Sequence, residues 1–416
     1  MNTYFDELDT LSSDEREFRL FSNLPQQLGE AVQRIPLLAK HLEGCDVSSV
    51  VDRSTLQKLP VLRKETLMEF QRQDPPFGGF VDLEGIQGGR VFMSPGPVWE
   101  PQVSGLDPWQ AARCLHAVGI RAGDIVHNAF SYHLTPGGFI LDEGAKALGC
   151  IVFPAGVGNT EAQVEALVQL SASAYIGTPD FLQSLLNRAA EVQQSLPKLK
   201  RALVSGGALF PNMRQAYLDQ GIHVQQAYAT ADLGVIAYET STDNQIHPGM
   251  VVNEHLIVEI VRPGTGEPLA VDQVGELVVT RLHPDYPLVR FATGDLSKLL
   301  PEASPCGRTQ MRLAGWMGRA DQRTKVKGMF VDPQQIDDIR RAHPEIQAAR
   351  LIVGRKNDMD TMTLHVKTDL ADDVINLQAI EDSVKSILKI KGEVVNTNTP
   401  FANDGLVIED TRDFES

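Results

Sequence analysis

Five stretches have the residue types of ligand-binding turns: VFMSPGPVWEP (91–101), SYHLTPGG (131–138), PAGVGNT (154–160), GTPD (177–180) and SGGAL (205–209). Glycine and other small residues let a backbone approach a ligand closely, and free backbone N–H groups there attract anions. The first stretch is shaped like a phosphate loop, yet it holds a single glycine, Gly96, and no lysine. Pro95, Pro97 and Pro101 have no N–H to offer a phosphate, and Glu100 stands where positive charge is expected. Ser94 and Gly96 are what remains of the phosphate-binding chemistry.

Metal and redox chemistry find little support. Cys45, Cys114, Cys150 and Cys306 are far apart and form no CxxC pair, so neither a disulfide framework nor a thiolate zinc site is indicated. There is no HxxxH spacing; Cys306 beside Gly307 and Arg308 is the weak remaining possibility. A net charge of -16 argues against a nucleic-acid or anionic-membrane partner, both of which need lysine and arginine clusters. A polyanionic ligand must then be held by local N–H groups and a few basic residues. The acidic, polar start MNTYFDELDTLSSDEREF has no apolar signal core, and no apolar run reaches about 18 residues. A cytoplasmic protein is expected.

These loops need elements to position them. Residues 1–70 read as amphipathic helices capping a larger domain. From about 88 to 210, the apolar runs DIVHNAF, CIVFPAG, SAYIGTP and RALVSGG alternate with amphipathic stretches, which predicts a parallel sheet. In such a sheet ligands bind beyond the carboxyl ends of the strands, where these loops lie. In the unit built on the 154–160 loop, Thr160 and Gln163 predict a capping box at a helix start. Residues 250–300 predict a small antiparallel sheet. The last hundred residues predict a hairpin (ARLIVGRKNDMDTMTLHVKTD) and an amphipathic helix (DDVINLQAIEDSVKSILKI). The expected fold is α/β: a large domain, 1–317, with parallel sheets flanked by helices plus a small antiparallel sheet, then a small mobile α+β domain, 318–416.

In order along the chain, PAGVGNTEAQ, YIGTPDFL, VSGGALF, AYATADLG, GELVVT, YPLVRFATGDL and GRADQRTKVKGMFVDPQQI resemble the phenylacetate-CoA ligase-like branch of the adenylate-forming synthetases. The resemblance covers residues 85–415. It implies an AMP-forming carboxylate-CoA ligase that makes an acyl-adenylate from ATP and an aryl or other small acid, then rotates its C-terminal domain so that coenzyme A displaces AMP. Homodimers are common in the family.

The resemblance also assigns residues. Tyr228, with Ala229 and Thr230, would pack on adenine, and Asp232 would support Mg²⁺, a hard ion that takes oxygen ligands. A core tyrosine and a capping aspartate are the plain alternative. Ser205, Gly206 and Gly207 would form the adenine-facing loop, or an ordinary strand-to-helix turn. Asp295 would accept both ribose hydroxyls, for which a carboxylate with two acceptor oxygens is suited, or else serve a turn. Arg319 would contact ribose or phosphate, and Asp321 would be the hinge. Lys327 would meet a coenzyme A phosphate beside Gly328 on the pantetheine route; Lys325 and Lys327 could equally belong to a solvated strand. Tyr132, His133 and Gly137 would line the acyl pocket, with a structural histidine as the alternative.

Two departures remove lysines. The phosphate loop has Glu100 where the family closes it with lysine, and Gly405 is followed by Leu406 where a Gly-Lys pair would insert its cation beside the α-phosphate. Such a cation stabilises charge in a desolvated transition state. Three readings stay open: a working ligase relying on magnesium and Arg319, an adenylate-binding homologue with a regulatory or scaffold role, and an enzyme that only transfers a preformed acyl-adenylate to a thiol. Outside this class stands a nucleotide-independent metabolite-binding protein, which would not need YATAD, TGD and GRAD in that order.

Overall fold

The computed structural model describes residues 3–94, 97–320, 322, 324–356, 359–368, 375–397, 401 and 407–412, and at 334 and 337 the backbone alone. The chain divides into two compact units, Met1–Thr293 with Ser297–Trp316, and Gly294–Leu296 with Met317–Ser416.

The apolar runs of the first unit become the strands Ile125–Asn128, Ile151–Pro154, Ala174–Gly177 and Arg201–Val204. Ala174–Gly177 is buried throughout, as a strand covered on both faces must be. Helices Gly137–Ala147, Thr160–Gln169 and Pro179–Glu191 connect them. Thr178 starts the last of these by accepting a hydrogen bond from Phe181 N at 3.3 Å, with Pro179 in the first turn. The four strands and His223–Thr230 pair in parallel, and Gly234–Tyr238, Met250–Val252, Arg312–Leu313 and Leu299–Leu300 extend them antiparallel into a nine-stranded sheet.

Strand order decides where a ligand can enter. Ile125–Asn128 has the following strand, Ile151–Pro154, on one side and Ala174–Gly177 on the other. The connections after it therefore diverge and open a crevice beyond its carboxyl end, flanked by residues 129–136 and by the turn at Thr178.

Gln163 corrects the expected capping box. The helix begins after Asn159, whose φ of 50° is left-handed, and no side chain caps it. Gln163 is instead buried and turns back into its own loop. Its Nε2 donates to the carbonyls of Gly156 (2.8 Å) and Gly158 (2.7 Å). With both amide hydrogens spent, Oε1 must accept, so His127 donates from Nε2 across 2.7 Å. That leaves His127 Nδ1 unprotonated, buried and, among the described residues, without a hydrogen-bond partner.

A second sheet orders Leu62–Arg63, Leu288–Ser297, Gly275–Arg281 and Leu256–Val261. Its pairing of Leu256–Val261 with Gly275–Arg281 is antiparallel, as expected, but Leu62–Arg63 joins in parallel. A two-residue strand gives no periodic signal, so the sequence could not announce it.

The second unit is an α+β module. Ala348–Lys356 and Met359–Lys367 form the predicted hairpin, flanked in parallel by Ile408–Asp410 and Glu393–Asn396. Helix Leu377–Leu388 buries Ile380, Val384 and Leu388, four residues apart, in a core with Leu351, Val353, Leu364 and Val366. Each such side chain contributes roughly 1.5–3 kcal/mol by leaving water. Asn376 caps the helix by accepting from Ala379 N at 3.1 Å.

Candidate nucleotide site

The phosphate-loop stretch is a hairpin. Val91–Ser94 pairs antiparallel with Val98–Pro101, so that Phe92 lies opposite Glu100 and Ser94 opposite Val98. Helix Lys64–Gln73 holds it from the side: Gln71 Nε2 donates to Trp99 O and its Oε1 accepts from Trp99 N, both at 2.8 Å. The proline at 101 costs nothing here because the hairpin, not a string of N–H donors, is what the backbone builds.

Glu100, 2% exposed, points inward. Ser94 Oγ donates to its Oε1 at 3.1 Å, and the buried Tyr286 hydroxyl donates to its Oε2 at 3.3 Å. Its carboxyl group also lies within hydrogen-bonding reach of Asp232. Asp232, 4% exposed, is held from the other side by Lys64, Nζ to Oδ2 3.1 Å. Lys64 is the first residue of its helix, where a cation opposes the positive end of the backbone dipole. The contact with Asp232, not helix stability, accounts for a lysine in that place.

Two buried carboxyl groups this close cannot both ionise without a cation between them. Burial, and then the charge of Asp232, push Glu100 well above the usual carboxylate range. Burial works against the Asp232 charge too, but Lys64 and the hydrogen bond with Glu100 outweigh it and hold that carboxyl low. The two directions put the shared proton on Glu100 and the negative charge on Asp232, beside the Lys64 ammonium. Asp232 Oδ1 receives no hydrogen bond from any N–H or hydroxyl among the described residues. Only a proton shared with Glu100, or a cation, can serve it.

Two other predicted pieces come together beside this cluster. Ser205–Gly207 directly follow the strand Arg201–Val204, and Tyr228–Thr230 end the neighbouring parallel strand His223–Thr230. Both therefore lie at the same edge of the sheet. Gly206 has φ +70°, a conformation a side chain would strain, and Gly207 has room for only a tight Cβ, 3.3 Å from Pro179 Cδ. Tyr228 is buried at 8% exposure, and the register shifts between Tyr228 and Ala229, re-aiming the chain toward Asp232. Thr230 Oγ1 then accepts from Leu233 N at 3.2 Å, closing the turn.

In the 131–138 loop, Tyr132 and His133 part company. Tyr132 OH donates to Asp142 Oδ2 at 3.0 Å and accepts from Asn128 Nδ2 at 2.8 Å, while its ring meets Phe139 edge-on. His133 is exposed, and Ser131 Oγ donates to its carbonyl. Gly137 opens the helix Gly137–Ala147, and a Cβ on Gly138 would come within 2.8 Å of Ser131 O. In the second unit, Asp295 Oδ1 accepts from Arg319 NH1 at 2.7 Å. Lys327 is exposed in the turn between Thr324–Val326 and Met329–Val331, with φ 48° and its N–H on Asp360 Oδ2 at 3.0 Å. Gly96, Asp321, Gly405 and Leu406 lie outside the described residues.

Sequence reasoning missed Lys64, Tyr286, Gln71 and the Gln163–His127 pair. Lys64 had one signal, a basic residue opening a helix; the others had none, since each acts on a residue far away in the chain.

The α/β fold brings its loops to the carboxyl ends of a parallel sheet, with an aromatic–carboxylate turn among them. A family model described as AMP-binding enzyme matches residues 144–283. A phenylacetate-coenzyme A ligase of Thermus thermophilus is 29% identical over 91% of this chain and 88% of its own. Its counterpart in Escherichia coli is 27% identical over 95% of this chain and 94% of its own. Over most of its length the chain is thus similar to phenylacetate-CoA ligases, which supports an adenylate-forming enzyme. In fold it matches a solved 2-hydroxyisobutyryl-CoA ligase in complex with 2-HIB-AMP and CoA, with a TM-score of 0.79 at 23% identity over 99% of this chain and 93% of that one.

Proposed function

We propose that this protein is an AMP-forming carboxylate-CoA ligase: it activates a small carboxylic acid with ATP and passes the acyl group from the adenylate to coenzyme A. The observation that carries this reading is the placement of Ser205–Gly207 and Tyr228–Asp232 at the carboxyl ends of adjacent parallel strands. One loop offers close backbone approach and the other an aromatic ring followed by an ionised acid, which together suit a nucleotide.

The chain's own residues take the following parts. Ser205, Gly206 and Gly207 face the adenine, with Tyr228, Ala229 and Thr230 along its other side. Ser94 and Gly96 border the phosphates. Asp295 accepts the ribose hydroxyls, and its bond to Arg319 fixes the carboxylate while placing a guanidinium beside it. Tyr132, His133 and Gly137 border the acyl group, Lys327 meets coenzyme A, and Asp321 is the hinge between the domains 1–317 and 318–416. Magnesium fits the acid cluster: Asp232 Oδ1 is a buried, hard oxygen donor that no N–H or hydroxyl among the described residues reaches, and the Glu100 carboxyl faces Asp232. There it would draw charge from the phosphate oxygens. An aryl acid as substrate, a homodimer and a cytoplasmic location complete the reading. Among the described residues no helix is long and apolar enough to cross a membrane.

ATP–pyrophosphate exchange with a panel of aryl and short-chain acids, followed by thioester formation with coenzyme A, tests the reading. Acid-dependent exchange and a CoA thioester are expected. Tight AMP binding without exchange on any acid would replace the ligase by an adenylate-binding homologue. Thioester formed only from a synthetic acyl-adenylate would leave the transfer step alone.

A further inference from the structure

We propose that Glu100, standing where the resemblance expects the loop lysine, is a ligand of the divalent cation held at Asp232. This chain's phosphate loop then meets the nucleotide through a metal ion where its relatives' motif uses an ammonium group. The inference rests on the reading of this cluster as part of a nucleotide site.

The geometry points this way in three respects. First, a loop that had merely lost its lysine would carry a neutral or solvent-facing residue at position 100. Glu100 is instead almost wholly buried and aimed at Asp232, within hydrogen-bonding reach. Bringing two carboxyl groups together out of water is costly unless something positive joins them. Second, the pair is oriented by its surroundings. Ser94 Oγ and Tyr286 OH each occupy one oxygen of Glu100, and Lys64 occupies Oδ2 of Asp232. Among the described residues, Oδ1 of Asp232 is left without an N–H or hydroxyl donor, with only the Glu100 carboxyl to share a proton with the group. Carboxylate oxygens supported in this way by outer hydrogen bonds are what hard cations such as Mg²⁺ and Mn²⁺ take as ligands. Third, the charges suit a nucleotide. Two carboxylates neutralise a divalent ion, and Lys64 and the buried Arg281, both close to the pair, leave the cluster cationic toward a polyphosphate.

The hairpin gives Glu100 its aim. Glu100 lies opposite Phe92 in the ladder, and the neighbouring Trp99 is tied by both backbone groups to Gln71. Because side chains alternate across a strand, the exposed Trp99 and the buried Glu100 lie on opposite faces of the hairpin. A lysine in this register would face Lys64 across Asp232, two ammonium groups on one carboxylate.

Electron paramagnetic resonance of Mn²⁺ titrated into the nucleotide-free protein tests the assignment without relying on turnover. Wild-type protein is expected to bind Mn²⁺ at a site that Mg²⁺ displaces. Glu100→Gln, close in shape to the protonated side chain, and Asp232→Asn are each expected to weaken Mn²⁺ binding about tenfold or more. Glu100→Asp keeps a carboxylate and should retain measurable binding even if the packing around Gln suffers. Glu100→Lys, which restores the loop cation, should abolish it. Unchanged Mn²⁺ binding by Glu100→Gln overturns the inference. So does a wild-type protein that binds no Mn²⁺ yet catalyses acid-dependent ATP–pyrophosphate exchange; the ligase reading would then stand alone. Mn²⁺ binding that depends on Glu100 in a protein without exchange would support the metal site and sink the ligase.

Discussion

Lys64 and Asp232 meet across 168 residues of chain, with the ammonium of a helix start 3.1 Å from a buried carboxylate at the turn after Tyr228. Their contact ties the N-terminal helices to the central sheet at the point where the nucleotide chemistry is proposed.

Breaking it should be costly. Lys64→Met removes the strongest partner of the Asp232 charge and leaves that carboxylate buried, at about 3 kcal/mol of unfolding free energy. Lys64 is 22% exposed, so water replaces part of the lost interaction and keeps the effect near the low end of the range for buried pairs. Urea unfolding of Lys64→Met, Asp232→Asn and the double variant gives the coupling directly. Additive losses would mean that the two residues stabilise the fold independently.

Asp295 carries the ribose reading. Asp295→Ala should weaken AMP binding by about tenfold or more, the effect of losing charge-assisted hydrogen bonds to a ligand. Isothermal titration calorimetry with AMP measures it. Equal affinities for wild type and variant would return Asp295 to a purely structural pairing with Arg319.

Gln163 is a positioning residue for the 154–160 loop. Gln163→Leu leaves the carbonyls of Gly156 and Gly158 and the Nε2 of His127 without their partner. Each buried group left unserved costs about 1–3 kcal/mol, less for a carbonyl that water can reach. A lower urea midpoint and faster proteolysis within residues 154–160 are expected. A wild-type midpoint would show that the loop is held by its backbone alone.

Acidification should destabilise the sheet through His223, which opens the strand that carries Tyr228. Burial, with the charges of Arg201 and Arg214 facing it, pushes its folded value down from 6.5 to about 4. Gln225 Nε2 and Ser241 Oγ lie 3.2 Å and 3.1 Å from His223 Nε2, which suits the neutral ring as acceptor. Since the unfolded chain takes up the proton first, the contribution of His223 is complete above pH 6.5 and is lost as pH falls toward about 4. His223→Gln should flatten the loss of stability across that window, read as melting temperature at successive pH values. A curve parallel to wild type would assign the acid sensitivity elsewhere.

Much of the architecture was legible because its causes are local. Continuous apolar runs such as AYIG must be covered on both faces, and their alternation with amphipathic stretches leaves few arrangements other than a parallel sheet. Periods of four in the helix Leu377–Leu388 likewise mark the side that packs. Local pattern failed at Gln163, where a spacing suited to a helix cap is used for a loop clamp, because a neighbouring buried histidine offered the amide a better set of partners.

The site divides along the same line. Its position, its glycines, its tyrosine and its missing lysine are properties of the sequence alone, since they follow from residue type and order. What Glu100 faces, which cation holds Asp232, and which of their oxygens stay unserved were decided only by the tertiary structure. Charge and proton occupancy in a buried cluster depend on every group within a few ångströms, and here those groups come from residues 64, 94, 100, 232 and 286. No one-dimensional pattern joins them; the packing of a helix, a hairpin and two sheet edges does.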